Sequence, residues 1–304
     1  MADYDVAVIG AGVAGLNAAV TTARHGLKTV VIEMLGAGGQ VINVDRIENY
    51  PGPLEGMAGF ELGPTLQMQA DEAGVDFILD QVEQVAKDDD GFAVVGSETT
   101  LVSKTLIVAA GSARRKLGIE GEDAYEGRGV SHCASCDGPL LRGKDVCVVG
   151  GGDSALDEAL SLSAHAQKIT IVHRGLKPTA RHSLVERCFG AENIRFMAEA
   201  EVAAILGDDG VTHLRIQRQG ENLDLPCHAV FIYVGLEPAA AFLGDLVARD
   251  EAGRIKVDLM MRSSIDGIFA AGDIRQDSVA HLAASAGDGV TAALAAVRFV
   301  GTRG

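Results

Sequence analysis

The sequence predicts an α/β fold holding two nucleotide-binding units, each a mostly parallel sheet layered with helices. Three observations carry that prediction. A strand, a glycine-rich turn and a helix occur twice; a second strand follows each copy in the same register; and the 38 glycines fall mostly in short clusters between β-rich runs. At 304 residues the chain is long enough for two domains of ordinary size, each with its own core. Hydrophobic residues make up 47% and charged residues 22%, the balance of a globular chain. Aromatics are only 4% and Trp is absent, so those cores must be built from Ala, Val, Ile and Leu.

In the first copy, Val6-Ala7-Val8-Ile9 runs into Gly10-Ala11-Gly12-Val13-Ala14-Gly15 and a helical stretch from Leu16 to His25. In the second, Val146-Cys147-Val148-Val149 runs into Gly150-Gly151-Gly152-Asp153-Ser154-Ala155 and a helical stretch from Leu156 to His165. The first glycine makes the tight turn, and the second lets a pyrophosphate approach the backbone. The third position must be small so that helix packs on strand, which Gly15 and Ala155 both satisfy. Two Rossmann-like, three-layer ββα domains are therefore expected. The second strands, Thr29-Val30-Val31-Ile32-Glu33 and Ile169-Thr170-Ile171-Val172-His173, keep the repeat in step. Glu33 lies 33 − 10 = 23 positions after Gly10, and His173 lies 173 − 150 = 23 after Gly150.

That register separates two ligands, because the residue ending the second strand meets the adenine ribose. Glu33 accepts hydrogen bonds from ribose hydroxyls and repels a 2′-phosphate, so the first site suits FAD or NAD. His173-Arg174 brings positive charge to the equivalent place, with Arg181 as a further contact, so the second site reads as NADP. Asp88-Asp89-Asp90-Gly91, Asp208-Asp209-Gly210 and Glu251-Ala252-Gly253 separate β-like runs and read as hairpin turns. The aspartate run has no nearby His or Cys and reads as a solvated loop rather than a metal site.

A net charge of −16 argues against nucleic acid, which needs a basic face to displace counterions. The N-terminus, Met1-Ala2-Asp3-Tyr4-Asp5, has no basic region followed by an apolar core, so no signal peptide is expected. Val290 to Val300 is short, Ala-rich and carries Arg298, a buried helix rather than a membrane span. The five cysteines, an odd number, do not make a secreted disulfide framework, and a cytoplasmic location is expected.

Chemistry concentrates in Gly129-Val130-Ser131-His132-Cys133-Ala134-Ser135-Cys136-Asp137-Gly138, just before the second glycine turn. A Cys-x-x-Cys spacing suits a reversible disulfide and commonly lowers one thiol's pKa. Zinc is the competing reading, but it normally wants a second Cys/His pair, and His132 alone does not supply one. Asp137 is a carboxyl placed to give a proton to a leaving thiolate. Cys147 reads as core, while Cys188 and Cys227 have no partner nearby in sequence.

Together these residues resemble the low-molecular-weight thioredoxin reductase family, FAD- and NADP-dependent pyridine nucleotide-disulfide oxidoreductases. The match spans nearly the whole chain. Its specific parts are Gly38-Gly39-Gln40, Glu48-Asn49-Tyr50-Pro51-Gly52, the Cys-Ala-Ser-Cys-Asp run, Gly150 to Ala155, and Gly267-Ile268-Phe269-Ala270-Ala271-Gly272-Asp273. The resemblance implies a discontinuous FAD domain, residues 1–115 and 244–304, with the NADP domain and its cysteines, 116–243, inserted between. It implies that Ala14, Met34, Gly39, Gln40, Asn49 and Val82 lie along FAD, with Ala110 and Gly111 close by. Asp273 would bind the ribityl or pyrophosphate region. Cys136 would face the flavin, Cys133 would attack the partner's disulfide, and Asp137 would serve as acid and base. The activity implied is an NADPH-dependent thioredoxin-disulfide reductase, passing electrons through FAD and the Cys133–Cys136 disulfide to thioredoxin or a thioredoxin-like protein. A homodimer, with no nucleic-acid or membrane partner, is also expected.

Two departures from the family pattern matter. Where it usually has His-Arg-Arg, this chain has His173-Arg174-Gly175, and Arg181 comes after a longer loop. Where it usually has Arg-Gln and a small residue beside the flavin ring, this chain has Ala280-His281-Leu282. These leave three alternatives open: a dithiol oxidase acting on a small molecule with oxygen as acceptor, a reductase for a peroxiredoxin-linked or glutaredoxin-like partner, and a flavin electron-transfer or binding module with a decayed NADP site.

Overall fold

The computed structural model describes residues 1–44, 46–47, 49–52 and 56–302, and these divide into two compact units. Unit 1 comprises Met1–Ala113 and Glu237–Gly304; unit 2 comprises Arg114–Leu236.

Unit 1 opens with strand β1 (Tyr4–Ile9), helix α1 (Val13–Arg24), β2 (Thr29–Glu33), α2 (Gly59–Glu72) and β3 (Asp76–Leu79). A meander follows: β4 (Val82–Asp88), β5 (Gly91–Gly96) and β6 (Thr100–Val108). A short strand, β7 (Ser112–Arg114), leads into unit 2, which runs through β8 (Val130–Ser131), α3 (Ala134–Asp137), β9 (Asp145–Val149), α4 (Asp153–Ser163), β10 (Lys168–Val172), α5 (His182–Gly190) and β11 (Ile194–Met197). It continues with β12 (Ala200–Gly207), β13 (Val211–Arg218), β14 (Glu221–Pro226) and β15 (Ala229–Ile232). The chain returns through β16 (Leu236–Pro238) to β17 (Ile268–Ala270) and α6 (Leu282–Gly301).

The sheet of unit 1 runs β3-β2-β1-β6, with β17 joined in parallel to the later half of β6. The earlier half of β6 pairs antiparallel with β5 instead, so the meander branches from the parallel sheet. Central strands β1 and β2 read VAVI and TVVI because both of their faces are covered, the mark of a parallel sheet. One face packs Val6, Val8 and Val31 against Leu16, Leu66 and Ala292 from α1, α2 and α6. The other packs Ala7, Ile9 and Val30 against Val85 and Val94 of the meander, with Ala240 and Leu243. Three layers result.

Unit 2 repeats the plan. Its parallel sheet runs β11-β10-β9-β15-β8, and an antiparallel meander, β12-β13-β14, forms a separate layer. Val146, Val148, Ile169 and Ile171 face Leu156, Leu162 and Leu184 of α4 and α5. Cys147, Val149 and Val172 face Ile205, Leu214 and Ile216 of the meander. Both units are thus α/β and three-layered, as the repeat predicts.

Two of the three sequence turns join strands: Asp89-Asp90 joins β4 to β5, and Asp208 to Gly210 joins β12 to β13. Glu251 to Gly253 turns within a single bridge between Arg249 and Ile255. The Val290 to Val300 stretch lies inside α6, and among the described residues no helix is long and apolar enough to cross a membrane.

Candidate functional site

In unit 1 the turn after β1 has three glycines with three different reasons. Gly10 sits at φ +102°, and a Cβ there would fall 2.5 Å from the Ala109 carbonyl oxygen. A Cβ on Gly15 would fall 1.9 Å from the Gly10 carbonyl oxygen, so helix and turn meet without a side chain between them. Gly12 differs from both. Its backbone is extended, at φ −71° and ψ −179°, and a Cβ would meet nothing within 4 Å. Among the described residues nothing requires glycine at that position, which leaves space for a group approaching from outside.

What approaches meets the free N–H groups of α1. Its N-terminus has no side-chain cap and no acidic residue in its first turn, which favours an anion there. Ala14 lies in that first turn and is buried. Glu33, at the end of β2, accepts the N–H of Ala11 at 2.7 Å and of Leu35 at 3.0 Å. The carboxylate is thus fixed beside the turn, and each oxygen keeps lone pairs for a ribose hydroxyl. Met34, next to it, is exposed.

The remaining expected contacts of unit 1 come from six segments. Gly38 donates its N–H to the Ala11 carbonyl at 2.8 Å, which holds Gly39 against Gly12. Gln40 donates to the Ser112 carbonyl at 2.8 Å, just past Ala110 and Gly111. Asn49 is exposed, Val82 lies against the meander core, and Glu48 falls outside the described residues. Asp273 sits in a short turn after β17, and burial pushes its carboxyl up while Ser278 donates to it at 3.3 Å. The turn is braced by Asp288, which accepts the Gly272 N–H at 3.2 Å and pairs with Arg275 Nε at 2.6 Å. His281 caps α6: its Nδ1 accepts the Ala283 N–H at 3.2 Å, so its ring proton lies on Nε2. Leu282 begins that helix.

In unit 2 the second turn repeats the logic. A Cβ on Gly150 would fall 2.2 Å from the Tyr233 carbonyl oxygen, whereas one on Gly152 would meet only Thr179 Oγ1 at 4.0 Å. Gly152 caps α4 with no side-chain hydrogen bond, and Asp153 and the exposed Ser154 open the helix. Asp153 is occupied. It accepts the Arg181 backbone N–H at 2.7 Å and pairs with Arg181 Nε at 2.7 Å.

The positive charge expected of His173-Arg174 rests on Arg174. His173 is only 6% exposed, its Nε2 has no hydrogen-bond partner among the described residues, and burial pushes its pKa below the ordinary histidine value. It is therefore neutral near pH 7 and packs edge-on to Phe196. Arg174 is exposed at the strand end.

Cys133 and Cys136 form a disulfide, with Cα atoms 5.3 Å apart, at the start of α3. Cys133 Sγ itself caps that helix, accepting the Cys136 N–H at 3.2 Å. A negative charge on Cys133 after reduction would meet that donor, which favours its thiolate. Ser131 donates its hydroxyl to Asp137 Oδ2 at 2.5 Å and accepts the Cys133 N–H at 3.2 Å. Asp137 is thus tied through one hydroxyl to the backbone of the sulfur-bearing residue. Among the described residues no group of three His, Cys, Asp or Glu is placed to hold a metal ion.

The fold also brings in residues that sequence reasoning missed. Glu158 Oε2 accepts the Ala134 N–H at 2.8 Å, across 24 residues. Tyr233, after β15, turns its hydroxyl toward Glu158, whose charge adds to burial in pushing the phenol up. Cys227 meets Cys147 in the core, where the neighbouring thiol and burial together push the Cys147 thiol up. No local motif signals any of these; only the strand order does.

The family model of the pyridine nucleotide-disulphide oxidoreductases matches residues 4–289. A thioredoxin reductase of Treponema pallidum is 38% identical over 302 residues, covering 99% of this chain and 98% of that one. A thioredoxin reductase of Bacillus subtilis is 37% identical over 300 residues, covering 98% of this chain and 95% of that one. Among solved structures, the Lactococcus lactis thioredoxin reductase superposes with a TM-score of 0.95 at 39% identity, covering 99% of this chain and all of that one. That of T. acidophilum gives 0.90 at 35% identity, covering 98% of this chain and 99% of that one.

Proposed function

The chain belongs to the pyridine nucleotide-disulphide oxidoreductase family, as a disulfide oxidoreductase of the FAD- and NADPH-dependent kind, and we propose that it reduces thioredoxin through Cys133 and Cys136. The observation that carries this reading is the Cys133–Cys136 disulfide itself, with Cys133 Sγ capping its helix in the unit that bears the second glycine turn. Curated relatives that match the whole chain, and are themselves named thioredoxin reductases, support the choice of partner.

The open space at Gly12 and the uncapped end of α1 fit the pyrophosphate of FAD, with Glu33 on its ribose and Asp273 further along it. The open space at Gly152 and the exposed Arg174 fit the pyrophosphate and 2′-phosphate of NADPH. FAD, when bound, supplies a two-electron carrier between nicotinamide and disulfide.

The chain's own residues do the rest. In the reduced pair, the Cys133 thiolate attacks the partner's disulfide, forming a mixed disulfide and releasing one partner thiolate. Asp137, held by Ser131, gives that thiolate its proton. The Cys136 thiol, losing its proton to Asp137, attacks Cys133 Sγ, restores the intramolecular disulfide and releases the second partner thiolate, which takes that proton from Asp137. The electron pair leaves with the partner as its dithiol. A homodimer in the cytoplasm, where NADPH is at hand, completes the proposal.

The test is anaerobic. NADPH added to the FAD-loaded protein should bleach the flavin absorbance, and Cys133→Ser should keep that bleaching while losing thioredoxin reduction. Turnover with thioredoxin that survives Cys133→Ser would remove Cys133 from the role assigned to it.

A further inference from the structure

Two carboxyls flank the redox helix, and only one has a role above. Glu158 lies on α4, the helix opened by the Gly150 to Gly152 turn, and is half-buried. Its Oε2 accepts the Ala134 N–H at 2.8 Å. Ala134 N is bonded to the carbonyl carbon of Cys133, so covalent geometry keeps this carboxylate within about 8 Å of Cys133 Sγ. Two influences therefore converge on that sulfur with opposite sign. The Cys136 N–H stabilises a thiolate there; the Glu158 charge opposes one.

The other groups acting on Glu158 come from three places. Asp157, its neighbour on α4, opposes its ionisation; Arg114, at the end of β7, favours it. The Tyr233 hydroxyl faces it from the end of β15, and Asp137 acts on the same hydroxyl. Burial pushes the Glu158 carboxyl up, and the Ala134 N–H counters by bonding to its ionised form. Cysteine pair, Asp137, Glu158 and Tyr233 thus make one cluster within unit 2.

We propose that Glu158 is a positioning residue of the redox centre: bound to Ala134 N–H, its negative charge restrains the Cys133 thiolate and so keeps the pair reducing. This rests on the assignment of Cys133 and Cys136 as the redox pair. The chemistry is a shift of an existing equilibrium, with disulfide plus two electrons and two protons on one side and dithiol on the other. A carboxylate beside the sulfur disfavours the charged thiolate form. Its removal stabilises the reduced pair, which becomes a weaker donor to a partner disulfide.

Two variants separate charge from geometry. Glu158→Gln keeps an acceptor of the same length for Ala134 N–H and loses the charge; Glu158→Asp keeps the charge and shortens the reach by one methylene. The FAD-loaded enzymes are equilibrated anaerobically in glutathione redox buffers and quenched with iodoacetamide, and alkylated cysteines are counted by mass. The alkylation rate of the reduced pair is also followed against pH. Glu158→Gln should move the Cys133 profile about one pH unit lower and shift the dithiol:disulfide ratio about tenfold toward dithiol, some 30 mV more positive. Glu158→Asp should leave both close to wild type. Unchanged values in Glu158→Gln, or equal shifts in the two variants, overturn the proposal. Neither measurement involves thioredoxin, so survival of turnover in Cys133→Ser and failure of the Glu158 inference are read from separate experiments.

Discussion

Replacing Gly12 by Ala and, separately, Gly15 by Ala tests whether the first turn is shaped by the protein or for a ligand. At Gly15 a Cβ would lie 1.9 Å from the Gly10 carbonyl oxygen, a backbone atom that cannot turn aside. Relief requires moving α1 away from β1, so Gly15→Ala should cost about 2–3 kcal/mol or more, in the range of an overpacked core. At Gly12 the new methyl meets no atom of the described residues within 4 Å, and the backbone is already in a region any residue adopts. Two small effects then oppose each other. Loss of glycine's freedom in the unfolded chain stabilises by about 0.4–1 kcal/mol, and Ala is a poorer N-cap than Gly by a similar amount. The apo protein should therefore unfold within about 1 kcal/mol of wild type. Its affinity for FAD should not survive. A methyl in the space proposed for the pyrophosphate should weaken binding tenfold or more, at least about 1.4 kcal/mol. Urea unfolding of the apoproteins measures the first quantity, and flavin fluorescence quenching on titration with FAD measures the second. Wild-type FAD affinity in Gly12→Ala would refute the reasoning, because the open space would then have no ligand to explain it.

Two other outcomes follow from the same geometry. Arg174→Ala should raise KM for NADPH about tenfold while leaving that for NADH nearly unchanged, and Arg181→Ala should do less because Asp153 already holds its guanidinium; equal effects on the two cofactors would remove Arg174 from the 2′-phosphate. Asp80 accepts four backbone N–H groups, from Gln81, Ser97, Glu98 and Thr99, which hold its carboxyl below the ordinary value despite burial. Its folded pKa is depressed, so its contribution to stability is present above the unfolded value near 3.8 and disappears as pH falls through the folded one. The stability gap between wild type and Asp80→Asn, from urea unfolding, should therefore be full at pH 6 and shrink below about pH 4.

Much of the fold was readable because its signals are local. The two glycine turns, their strands and the 23-residue spacing to Glu33 and His173 all lie within single βαβ units, where periodicity and turn chemistry decide the conformation. The redox pair was readable for the same reason, being three residues apart. What escaped was non-local. That Glu158 reaches Ala134, or that Cys227 meets Cys147, depends on which strands lie side by side, and no short window carries that information. The charge of His173 was misjudged for a related reason: its neighbour Phe196 arrives on β11, and the burial that keeps the imidazole neutral is a property of the assembled layers. The placement of His281 is likewise set by the fold: its Nδ1 caps α6, which fixes the tautomer a ligand would meet.

The two crossings between units, β7 and β16, pair as a two-stranded ribbon. Within unit 2, Arg115 N–H donates to the Gly235 carbonyl at 3.0 Å; within unit 1, Ala239 N–H donates to the Gly111 carbonyl at 3.1 Å. Each unit therefore brings its own cut ends to within one hydrogen bond of each other. Seen as gene architecture, unit 2 is a cassette: it can enter or leave unit 1 without stretching the host, because the host's gap is already closed. The loop-closure entropy of such an insertion is small, since it grows only slowly with the length of what is inserted. A chain that carries a second unit in this way leaves the sheet of the first continuous in space, although it is discontinuous in sequence.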